Sequence, residues 1–244
     1  LLICAIASAQ TLPRTPNGKP DFNGVWQVLN TAAWDLQDHN ANTGVPPGMG
    51  VVVGGEIPYQ PWALEKKKDM VANHLADDPQ AHCWLSGVPR QMYTPFGFQI
   101  LQSDSAVILS FEAFHAFRLL HLGGKHPDPS IKLFEGDSRA RWEGDTLVVD
   151  VTKLNERTWF DMEANFHGPD LHVVERYTMK DEDTIGYEAT LTEPKVYTQP
   201  WKIAFDLVRN KEAGYETLEY ACVEGEQDLS HYTESVGGKA QDKK

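Results

Sequence analysis

Four histidines, His115, His126, His167 and His172, lie close in the chain to the carboxylates Asp128, Asp161 and Glu175. An imidazole within reach of a carboxylate can take up and return a proton near neutral pH. His115, Asp128, His167 and Glu175 are therefore the candidate general acids and bases. Groups able to hold a ligand crowd the same stretch: the guanidinium groups of Arg118, Arg139 and Arg176, the polar side chains of His126, Asp161 and His172, and the indoles of Trp142 and Trp159. No metal or other cofactor is expected. HExxH and comparable metal spacings are absent, and His172 and Glu175 are an odd number apart, so on one strand they face opposite ways. GxSxG and the glycine patterns of nucleotide-binding loops are also absent.

The elements that must position these residues are strands. Segments 139–143 and 146–152 alternate around Gly144-Asp145, a two-residue connection suited to a primed turn. Counting outward from it pairs Trp142 with Leu147, Ala140 with Val149 and Ser138 with Val151 on an apolar face. The other face pairs Arg141 with Val148 and Arg139 with Asp150, the last read as a cross-strand ion pair. The strand over 171–179 places Glu175 on its apolar side with Leu171, Val173, Tyr177 and Met179. A carboxylate there must be paired or have a raised pKa; the partner expected is an arginine from a neighbouring strand, the alternative a catalytic or ligand-orienting role. Between hairpin and strand, loop 158–169 carries Trp159, Asp161 and His167.

Elsewhere the order is an extended arm over 11–22, a strand over 24–29, and a Gly-, Pro- and Asn-punctuated excursion over 30–60. A helix follows over 62–76 and a tight connector over 83–95. From 96 onward the chain reads as a continuous antiparallel meander, with strands at 98–102, 106–112, 117–122, the three described, 184–191, 201–209 and 215–223. About ten strands at short spacing predict an all-β fold, a barrel or strongly curved sheet of generally lipocalin-like shape, with one N-terminal helix and long N-terminal loops. The divisions expected are 1–9 residual signal peptide, 10–95 arm, loop and helix packed on the barrel, 96–230 barrel core and 231–244 disordered tail.

The run LLICAIASAQ matches the end of a secretory signal, and no later segment is long and apolar enough to span a membrane, so an exported, periplasmic or extracellular protein is expected. Cys83 and Cys222 are then a candidate disulfide, the alternative being two separate thiols. The net charge of −13 argues against a nucleic-acid partner or an anionic membrane surface.

Distinctive motifs lie in order along nearly the whole chain: PYQPWA at 58–63, GVPR at 87–90, WEGDTLVVD at 142–150, TWFD at 158–161 and LHVVERY at 171–177. With these the chain resembles an uncharacterised family of secreted, β-rich bacterial proteins. The resemblance implies export and a single β-rich domain. Leu133-Phe134 stand where that family's pattern has two tryptophans, at what would be a pocket wall.

The first functional expectation is a secreted barrel binding a small apolar, aromatic or carbohydrate-like molecule in an internal pocket. The second is an enzyme on the same scaffold, a hydrolase, lyase or isomerase using His with Asp or Glu; the third is an envelope-associated structural protein.

Overall fold

The computed structural model describes residues 12–41, 45–220 and 222. Nine strands form one closed barrel in chain order: β1 (Gly24–Val28), β2 (Phe98–Gln102), β3 (Ala106–Phe111), β4 (Phe117–Leu122), β5 (Asp137–Glu143), β6 (Thr146–Thr152), β7 (His172–Asp181), β8 (Thr184–Thr192) and β9 (Trp201–Arg209). Closure is by the antiparallel pair β1–β9. In a closed ring whose neighbours all run antiparallel, strand direction alternates and the strand number must be even. Nine strands therefore require a parallel pair, and β4–β5 supplies it. That corrects the expectation of a continuous antiparallel meander: residues 123–136 are a crossover, of the length a parallel connection needs.

The predicted tenth strand over 215–223 is also absent among its described residues, 215–220 and 222; residues 221 and 223 lie outside them. Residues 211–219 form no strand, and Tyr220 bridges Ala113 as an isolated pair and stacks on Phe96. With β1 and β9 already joined, the barrel has no free edge for another strand to extend. The C-terminal segment is held instead by side chains: Tyr215 donates to Glu112 at 2.8 Å, and Cys222 bonds Cys83 over a separation of 139 residues.

The hairpin register is as the alternation predicts, with Arg139↔Asp150 and Trp142↔Leu147 opposite one another. Gly144, at φ 60°, takes the first central position of the turn. Trp26, Phe98, Ile100, Leu109, Leu120, Val149 and Tyr187 are among the buried side chains that fill the interior. A 3-10 turn, Arg90–Tyr93, has all four residues buried. It packs against inward side chains: Met92 Sδ lies 3.5 Å from the Tyr177 hydroxyl, and Tyr93 meets the Phe205 ring edge-on at 5.9 Å. Its Arg90 makes a buried two-point ion pair with Asp78, both bonds at 2.7 Å. The helix α1 spans Pro61–Asn73, with Ala63 and Met70 buried. No described helix is long and apolar enough to cross a membrane.

Candidate functional site

Glu175 faces the barrel interior from β7, fully buried. Its partner is Arg118, but β4 is not a neighbour of β7: the guanidinium reaches across the interior, correcting the expectation of an adjacent-strand pair. Arg118 Nη1 donates to Glu175 Oε1 at 3.0 Å and Nη2 to Oε2 at 2.6 Å. The hydroxyls of Tyr177 and Tyr187 also donate to Oε1, at 3.0 and 2.8 Å, and Arg118 Nη2 reaches Ser138 Oγ at 3.1 Å. Glu175 is thereby saturated as an acceptor, whereas Arg118 Nε, buried, has no partner.

A second carboxyl, on half-buried Glu135 at the end of the crossover, lies within electrostatic reach of Arg118 and Glu175. Its Oε1 accepts from the Gly87 amide at 3.1 Å and its Oε2 is buried without a partner. Burial pushes this carboxyl up to about 7, against the pull of Arg118 and the Gly87 amide. Gly87 has φ 75°, and a Cβ there would lie 2.7 Å from Thr158 Oγ1, so only glycine presents this amide without strain. The Gly87 carbonyl in turn accepts from the Gln91 backbone at 2.9 Å. The Gln91 side chain is 1% exposed, with both amide atoms unpartnered. Outside Glu135, neighbouring Phe134 meets Trp84 edge-on at 5.8 Å, and the Arg157 guanidinium lies 5.6 Å above Trp84. Trp84, Ile131 and Leu133 are exposed there.

The chain matches no protein-family model and no curated protein.

The other candidate residues lie apart from this centre. His167 is buried, its Nδ1–H donating to the Gly168 carbonyl at 2.7 Å and its Nε2 accepting from the Thr158 hydroxyl at 2.7 Å. Burial lowers its pKa to about 4, so the ring is neutral and both nitrogens are occupied. His115 is exposed at the β3–β4 turn, 3.3 Å from Glu219, and Asp128 is exposed, accepting from Ser130. Among the described residues no hydrogen bond or ion pair joins any two of His115, Asp128, His167 and Glu175. Trp142 packs on Phe22, Trp159 is buried in its loop, and Arg176 pairs with Glu143 on the outer wall. Asp161 is buried and accepts from Leu36 and Asn165. Burial pushes it up, and burial together with Asp161 raises Asp35 to about 6.

His126, Arg139 and His172 do meet, on the outer face of β5–β7. Asp150 accepts from His172 Nε2 and His126 Nε2, both at 2.8 Å; His126 Nδ1 lies 2.6 Å from Asp137, which Arg139 also binds. Arg139 thus pairs with Asp137 on its own strand, not with Asp150 across from it, because the two histidines already occupy Asp150. Partial burial raises both carboxyls, and the hydrogen bonds from Arg139 and the histidines more than offset it, leaving both below the usual range. Acid and base alternate along this ladder; among the described residues no three such groups converge as metal ligands do.

Glu135, Gln91 and Trp84 were not among the residues predicted from sequence. A lone glutamate before a glycine in a loop and a glutamine after a proline-arginine step carry no periodic signal.

Proposed function

We propose that this chain is an exported small-molecule-binding barrel whose ligand is an aromatic or carbohydrate-like molecule bearing hydroxyl or amide groups, bound beside Glu135. One observation carries the reading: Gln91 Oε1 and Nε2, Arg118 Nε and Glu135 Oε2 are buried with no protein partner, Glu135 lying within electrostatic reach of Arg118 and binding the Gly87 amide, and the Gln91 backbone binding the Gly87 carbonyl. A buried polar atom left without a partner costs on the order of 1–3 kcal/mol. Several retained together are characteristic of a site that a ligand completes. The Trp84–Phe134 pair just outside suits a flat ring or a sugar face, which aromatic edges and faces hold through apolar contact. The Cys83–Cys222 disulfide supports an oxidising compartment.

One feature favours catalysis as a second reading. Glu135, with a carboxyl near neutrality beside a guanidinium, has the protonation behaviour of a general acid. The test of both is native mass spectrometry of the protein, followed by thermal-shift screening of sugars and aromatic alcohols against wild type, Gln91→Leu and Glu135→Gln. Binding lost in both variants supports the site; turnover lost in Glu135→Gln with binding retained supports the enzyme.

A further inference from the structure

The outer wall of the barrel is divided in two by charge. Alternation and burial place positions 25, 27, 99, 101, 106, 108, 110, 117, 119 and 121 outward on β1–β4, and none of them is Asp, Glu, Lys or Arg. Each of β5–β9 does carry charge outward, represented by Arg139, Asp150, Arg176, Glu188 and Lys202. On the uncharged wall the register sets Leu101 beside Ile108 and Ile108 beside Leu119, a continuous row over three strands, with Phe117 two residues from Leu119 on the same face. These four are 44%, 36%, 37% and 70% exposed.

We propose that this wall is a self-association surface, on which a second copy of the chain packs its own β1–β4 face. The charge distribution selects that occupant. Two molecules of net charge −13 repel one another, and the repulsion is least where both present a face without charge. A two-fold contact sets the same patch against itself, so any charge on it would risk a like-charge encounter; this patch has none. A closed barrel also has no strand edge to share, which leaves face-to-face packing of sheets at a separation of about 10 Å. An anionic lipid surface would meet the same repulsion that the wall avoids. Four strands at a spacing of about 4.8 Å and some five or six residues long give a face of roughly 300–400 Å². That is about half the area each partner of a standard interface contributes, so the dimer is reversible and concentration-dependent.

Sedimentation velocity on the full chain, from micromolar to millimolar loading, tests this. The wild type shifts from monomer toward dimer with concentration, and added salt strengthens the shift by screening the net charge. Ile108→Lys and Leu119→Glu each abolish the shift, and Phe117→Ser weakens it without adding charge. Lys202→Glu, on the charged wall, leaves dimerisation in place at high salt. Thermal melts confirm that all four exposed-site variants fold. A wild type monomeric at every concentration, or a dimer indifferent to Ile108→Lys and Leu119→Glu, overturns the proposal. Co-sedimentation of a monomeric wild type with phosphatidylcholine vesicles, lost in the same variants, overturns it in favour of a lipid surface.

Discussion

Arg118 and Glu175, on strands that do not touch, are joined through the barrel interior by hydrogen bonds of 3.0 and 2.6 Å. Side by side, the fork of the guanidinium and both carboxylate oxygens are used, and two tyrosine hydroxyls complete the acceptor. Removing one partner strands the other charge away from water. Glu175→Ala is expected to cost about 3–5 kcal/mol in denaturant unfolding, and the double variant Arg118→Met/Glu175→Leu distinctly less than either single change. Equal losses in Arg118→Met, Glu175→Leu and the double variant would contradict this.

The unpartnered amide of Gln91 gives the opposite sign. Leucine has nearly its volume and no polar atoms, so Gln91→Leu is expected to stabilise the ligand-free protein by about 1–3 kcal/mol while removing ligand binding. Most buried substitutions destabilise, which makes a raised denaturation midpoint diagnostic.

Glu135 and His167 act on stability in opposite directions over overlapping pH ranges. Glu135 is raised from 4.5 to about 7, so the folded state holds a proton that the unfolded chain has released; its contribution is present below about 4.5 and is lost as pH rises through about 7. His167 is lowered from 6.5 to about 4, so its contribution is present above 6.5 and is lost as pH falls toward about 4. Each amounts to at most about 3.5 kcal/mol, and between about 4.5 and 6.5 the two slopes offset. Glu135→Gln is therefore expected to steepen the acid-side loss of stability and to raise stability at pH 8, read as denaturation midpoints across pH. A profile with the same slope as wild type would refute the assignment.

The disulfide closes a loop of most of the chain, for which chain entropy gives on the order of 5 kcal/mol. The paired variant Cys83→Ser/Cys222→Ser is expected to lower stability by up to that amount while retaining the β-barrel circular dichroism, since the ring closes through β1–β9 without it.

The strands were legible in the sequence because one face of each is buried. Alternation alone fixes the pairing of Trp142 with Leu147 and the inward aim of Glu175. What the sequence could not convey was set by closure. Residues 123–136 have no periodicity to announce a crossover, and 215–220 alternates acceptably but arrives at a barrel without a free edge. The site was the least legible part. Arg118 meets Glu175 only because the sheet curls round, and Glu135 meets the Gly87 amide only across 48 residues of sequence. Histidine is a proton carrier by residue type, yet the structure uses His167 to tie a loop and His126 to hold the crossover against Asp137 and Asp150.

The most direct measurement of the central claim is native mass spectrometry of wild type and Gln91→Leu purified in parallel from an exporting host, with thermal-shift titration of any organic molecule released. A bound hydroxyl- or amide-bearing molecule is expected in the wild type, absent from a Gln91→Leu protein whose own melting temperature is higher. A wild type that carries and binds no such molecule, together with a Gln91→Leu protein less stable than wild type, would contradict it.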